Sequence, residues 1–237
     1  GDEGLELTDL PHTVGSLHEA LRSAKFWLAQ LALLTLRAHT AALFYMHSKL
    51  LPPGVSRVGW LATVGAGAAA GAAAIGLLLD GIRRKHLVVT LALGADTLAL
   101  ALASAGQTGS GGAARAWGAL AGALVSVCVL VPGPLWCQLF GSVDAHRIAQ
   151  LSAPATLGAA GIGVSLAGWW YGASSAFVGG ALSLFAWFSA LLGIVIAIVL
   201  QHETTGSVES WQALKAGTFR ITIASPIRRA MNRAGGR

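Results

Sequence analysis

The chain has 237 residues, 54% of them hydrophobic and only 11% charged, with a mean hydropathy of +0.65. This balance excludes an ordinary water-soluble domain and indicates an all-α, polytopic membrane protein. The formal net charge is +6, but the cations flank apolar segments and form no stripe with interleaved aromatics, which argues against nucleic acid as a partner.

In chain order, residues 1–24 read as a soluble, acidic segment without the basic start and apolar core of a signal peptide. A transmembrane domain is expected over 25–201, with apolar stretches at 26–47, 58–79, 87–106, 116–139, 150–171 and 176–200. Each approaches the 17 to 25 residues, roughly, that a bilayer core requires. A bundle of six transmembrane helices is therefore expected, followed by a basic tail over 202–237.

The first stretch carries Arg37 near its middle, in LLTLRAHTAALFYMH, with Thr40 three residues on and on a similar face. His39 points elsewhere. The second contains VGAGAAAGAAAIG and the fifth GAAGIGVSLAG; such small-residue faces let helix backbones approach closely in lipid, so both are expected at the centre of the bundle. Between the second and third stretches lies the charged hinge DGIRRK. Asp80 closes a helix at its C-terminal end, where the macrodipole disfavours a carboxylate, so Arg84, Lys85, Arg147 or a helix N-terminus is expected beside it.

Asp96 lies near the middle of the third stretch. An ionisable group at that depth costs at least about 2.5 kcal/mol on insertion scales. An Arg37–Asp96 ion pair, a substrate or proton pathway, and contact with lipid headgroups, water or another subunit are all open readings. The fourth stretch ends in VLVPGPLWCQLF, where Pro132 and Pro134 either bend the helix or open it, leaving Trp136 and Gln138 to line a cavity. Cys128 and Cys137 read as small buried thiols. In the tail, SVESWQALKAG is expected to form a short helix capped by Ser207, and SPIRRAMNRAGGR suits anionic headgroups or an acidic partner surface.

Arg22, Lys25, Arg83, Arg84, Lys85, Arg147 and all the cations of the tail fall on one side of a six-span topology, against Lys49, Arg57 and Arg115 on the other. By the positive-inside rule both termini face the cytoplasm, or the matrix or stroma of an organelle. Trp60, Trp117, Trp169, Trp170 and Tyr171 are expected as interfacial anchors on the far side. His12, His18, His146 and His202 have no companions at metal-ligand spacing, and no Walker loop, dinucleotide fingerprint or haem-attachment pattern is present. No metal, cofactor or enzyme chemistry is indicated.

The run Gly76, Leu78, Asp80, Arg84, Lys85 resembles the loop signature of the major facilitator superfamily, Gly-x-Leu-Ala-Asp-Arg-x-Gly-Arg-Lys, with Gly81 and Arg83 standing where that pattern has Arg and Gly. LHEALRSAKFW resembles the entry into the seventh helix of monocarboxylate- and organic-anion-type members. QHETTGSVESW is similar to the Glu-Thr-x-Gly-x-x-x-Glu ending of sugar-type members. The resemblance implies the C-terminal six-helix half of such a transporter, with Gly76, Asp80, Arg84 and Lys85 as a conformational latch. Arg37 resembles in depth the central Arg of the seventh helix of organophosphate:phosphate antiporters, which implies a role in binding substrate. Two functions are then expected as alternatives. One is a half-transporter for a small organic anion that works with a second half; the other is a non-catalytic accessory subunit of a larger membrane complex.

Overall fold

The structure, a computed structural model, describes residues 17–82, 84–106 and 111–215. Its helices are α1 (Leu17–Arg22), α2 (Ala24–Leu50), α3 (Arg57–Gly81), α4 (Lys85–Gly106), α5 (Gly111–Leu130), α6 (Pro132–Phe140), α7 (Ser142–Tyr171) and α8 (Ser175–Lys215). No strand occurs among the described residues.

Local chemistry sets the boundaries. Ser23 caps α2 by accepting the Phe26 N–H at 3.2 Å, and Ser56 accepts the Gly59 N–H at 3.4 Å to open α3. Pro52 and Pro53 keep α2 from running past Leu51. At the junction of α5 and α6 the Val131 N–H still reaches the Val127 carbonyl at 3.1 Å, and the Leu135 N–H reaches Val131 at 3.0 Å. Pro132, whose missing N–H matters least at a first helical position, thus starts α6 with these backbone bonds kept around Val131.

Five segments, Arg57–Gly81, Lys85–Ala105, Gly111–Leu130, Ala145–Tyr171 and Ser175–Leu200, are long and apolar enough to cross a membrane. They make the chain an α-helical membrane protein and overlap five of the six expected stretches; the fourth, expected over 116–139, instead ends at Leu130, with its remainder in α6. The remaining stretch falls on α2, whose 27 residues extend about 40 Å at 1.5 Å per residue. Its polar residues, Gln30, Arg37 and His39 among them, leave it less apolar than the others. It is also well covered, touching α1, α4, α5, α6 and α7.

The tightest pairings are α3 with α5 and α2 with α7. Glycine makes both possible: a Cβ on Gly67 would strike the Ala119 backbone, one on Gly122 the Val64 carbonyl, and one on Gly163 the Ala38 carbonyl. Ser126 adds a 2.8 Å bond to the Ala68 carbonyl across the α3–α5 contact. The small-residue helices α3 and α7 nevertheless do not occupy the centre, contrary to the sequence expectation. Each buries one glycine-bearing face and leaves most of its circumference exposed, because small residues fix how closely two helices approach without requiring cover on every side. The helix with cover on most sides is α2.

The aromatic belt also needs correction. Trp60 and Trp117 are fully buried with ring centroids 4.6 Å apart, and Trp60 stacks on His47 at 5.0 Å. Trp170 is buried too, so Trp169 and Tyr171 alone of the five residues remain exposed as the anchor role requires. Cys137 is exposed and Cys128 half-buried; both are free thiols.

Contacts divide the chain into two units between Ile198 and Val199. In the second, residues 199–215 are helical, so the region expected to start a separate helix at Ser207 is interior to α8. The acidic segment 1–16 and the basic stretch 216–237 lie outside the described residues.

Candidate functional site

Successive helical residues advance by about 100°, so Arg37 and His39 project from nearly opposite faces of α2. Each face leads to a distinct polar constellation.

On the first face, Arg37 and Thr40 line a cavity of about 160 Å³, completed by Ala41 and Phe44 of α2, Val125 of α5 and Ala160 of α7. Arg37 is half-buried and makes no ion pair with any described residue; the Cys128 thiol lies beside its guanidinium. The Thr40 hydroxyl donates to the Leu36 carbonyl at 2.7 Å, which uses its proton and leaves the oxygen as an acceptor. Arg37 is therefore the donor-rich group of this cavity.

On the second face, His39 Nδ1 lies 2.7 Å from Asp96 Oδ2 of α4, and the Ser189 hydroxyl of α8 donates to the same carboxylate oxygen at 2.7 Å. Asp96 and Ser189 are fully buried, and 9% of the His39 side chain is exposed. A carboxylate oxygen only accepts, so the imidazole proton sits on Nδ1. Asp96 Oδ1 has no hydrogen-bond partner. Of the open readings for Asp96, the Arg37 ion pair is not formed; Asp96 pairs with His39, because helical rotation turns Arg37 away from α4 and brings His39 onto it. His, Cys, Asp and Glu form no cluster of three or more suited to a metal ion among the described residues.

The latch residues are not brought together. Asp80 is exposed, with no hydrogen-bond or ion-pair partner among the described residues, and Gly76 faces open space. Lys85 turns instead to the end of α3, where its ammonium donates to the Leu79 and Ile82 carbonyls. Those carbonyls lack helical donors, and a multi-donor cation there also complements the helix dipole. Arg84 contributes its backbone carbonyl, which accepts the Leu87 N–H at 3.0 Å.

Trp136 and Gln138 line neither polar constellation. Trp136 is fully buried, with its ring stacked 5.6 Å from Phe26, and Gln138 Oε1 accepts the Lys85 N–H at the start of α4. Both side chains are used, in packing and in capping, rather than in lining a cavity between the polar groups.

His39 and Ser189 are the functional candidates that sequence reasoning missed. Their signal lay in Asp96: a carboxylate at mid-span demands a donor, and His39 is the other ionisable residue in the middle of the first span. No family model, curated protein or solved structure matches the chain.

Proposed function

We propose that this chain is a six-helix half of a major-facilitator-like transporter, with α2 as its first span, which combines with a second half to move a small organic anion. The observation that carries this reading is Arg37: a guanidinium midway along α2, the proposed first span, unpaired with any described carboxylate and lining a small cavity. A cation so placed is costly unless an anion or water meets it.

The helix pairing lends support. Taking α2–α4 as one triplet and α5, α7 and α8 as the other, the first helix of each packs on the second of its counterpart. The third helices meet through Thr97 with the Ala186 carbonyl and Ser104 with the Gly179 carbonyl, both at 3.3 Å. With three crossings per triplet the second would be inverted relative to the first, the arrangement nested in each half of such transporters. The exposed small-residue faces of α3 and α7 suit close approach by a second half. The cation distribution favours both termini on the cytoplasmic or organellar-interior side.

Uptake of candidate anions into liposomes containing the purified protein tests the reading. Arg37→Ala abolishes uptake while the protein keeps its melting temperature; uptake that survives the substitution sinks it. Asp80, which has no partner among the described residues, favours the second reading, an accessory subunit that has no need of a latch. Mild-detergent native electrophoresis separates the two: migration with a large complex supports the subunit, and migration as a dimer supports the transporter.

A further inference from the structure

A second, larger cavity of about 470 Å³ lies between α2, α7 and α8. Its walls are apolar and include Ala155, Gly158 and Ile162 of α7 with Phe185 of α8. Besides the Trp170 indole, two polar side chains interrupt them, Thr35 and His39, one helical turn apart on α2 and both more than nine-tenths buried. His39 gives Nδ1 to Asp96, so Nε2 is its free ring atom, with no partner among the described residues. The Thr35 hydroxyl likewise has no hydrogen-bond partner among the described residues.

We infer that this cavity binds an apolar monocarboxylic acid of the fatty-acid type, entering from the bilayer, with its carboxyl group between Thr35 and His39. The walls demand a mostly hydrocarbon ligand. The two polar groups, about a helical turn apart, suit a carboxyl group: with Nδ1 turned to Asp96, Nε2 accepts an O–H as a neutral ring or donates to a carboxylate as an imidazolium, and the Thr35 hydroxyl donates to the second oxygen. A carboxylic acid supplies both. An alcohol satisfies Nε2 but offers Thr35 no carbonyl, and an ester has no proton to give. A phosphate or sulfonate would bring in a fixed charge with no cation lining the cavity, since Arg37 lines the other one. The proton of the acid can also pass to Nε2, leaving a carboxylate, an imidazolium and the Asp96 carboxylate, without changing the net charge of the site. This site is independent of the anion-transport reading, which rests on Arg37.

The test is photolabelling of the detergent-solubilised full chain with a diazirine-bearing fatty acid, competed by the unlabelled acid, its methyl ester and the matched alcohol. Labelling is expected on peptides of α2, α7 or α8 and is competed by the acid at least about tenfold better than by the ester or alcohol. Thr35→Val, which removes only the hydroxyl, weakens competition by the acid about threefold to tenfold. Gly158→Phe fills the cavity from a position where an added Cβ meets nothing within 4 Å, and it abolishes labelling while the protein stays monodisperse. Equal competition by the ester marks an unspecific lipid groove, and equal competition by the alcohol removes the carboxyl assignment. Undiminished labelling of Gly158→Phe places the site elsewhere; each of these three results overturns the inference.

Discussion

His39 Nδ1 and Asp96 Oδ2 stand 2.7 Å apart inside the bundle and tie α2 to α4, with the Ser189 hydroxyl bringing α8 to the same oxygen. Sequence separations of 57 and 93 residues make this contact a tertiary clamp. Removing one partner of a buried pair leaves an uncompensated group, at a cost of about 3–5 kcal/mol. His39→Ala and Asp96→Ala should each lower the melting temperature in detergent strongly. The double variant should be clearly more stable than the sum of the single effects predicts. Additive losses in that cycle would show that the two side chains are not coupled.

The glycines of the two tight crossings separate into those that cannot carry a side chain and those that can. At Gly122 a Cβ would meet the Val64 carbonyl, and at Gly163 the Ala38 carbonyl; at Gly65 and Gly161 it would meet nothing within 4 Å. Gly122→Val or Gly163→Val must push two backbones apart, with overpacking costs of about 1–3 kcal/mol or more. Gly65→Ala and Gly161→Ala should be neutral or slightly stabilising, since Ala is the better helix former. Thermal melts of the four variants check this, and equal behaviour of the two pairs would contradict the packing.

What the sequence reveals about this chain follows the range of each physical effect. Helix existence and approximate extent are set by runs of apolar residues and by breakers such as Pro52 and Pro53, and these could be read directly. Which helices occupy the centre could not, because Ala and Gly at 65–76 record only that some backbone comes close. Arg37 and Asp96 stood out because any charge at mid-span is costly. Their pairing depended on the rotation of α2 about its axis, which no local pattern encodes, and a shift of two residues exchanged Arg37 for His39. The hinge does not form the expected latch for a similar reason: spacing places Asp80 near Lys85, but the fold directs the lysine ammonium to the carbonyls that end α3.

Lys49 has a structural role that the charge distribution alone does not suggest. Its ammonium donates to the carbonyls of Trp170, Tyr171 and Ala173 and lies 5.6 Å from the Tyr171 ring centre. It thereby closes the C-terminal end of α7, where the Trp170 carbonyl also accepts the Ala173 N–H of the closing turn and the dipole favours a cation. Lys49→Met keeps the aliphatic stem and removes the charge, and should cost about 1–2 kcal/mol. Faster proteolysis between α7 and α8 and a lower melting temperature are the expected signs. A melt indistinguishable from the parent would show that water serves these carbonyls equally well.

The hinge offers the sharpest contrast between neighbouring charges. Lys85 joins three elements: its side chain caps α3, its N–H opens α4, and that N–H is received by Gln138 of α6. Gln138→Ala leaves a helix-start N–H without its acceptor, at about 1 kcal/mol, the usual cost of losing an N-terminal cap. Lys85→Met removes the cap of α3 and should cost about as much again. Asp80→Asn alters an exposed group with no described partner and should change stability by less than about 0.5 kcal/mol. Removing its negative charge at a helix C-terminus should, if anything, be mildly stabilising. Melting curves of the three variants decide the matter: the expected order places Asp80→Asn with or slightly above the parent and the other two below it. A large loss in Asp80→Asn, with Lys85→Met unaffected, would restore the aspartate as the hinge's organising charge.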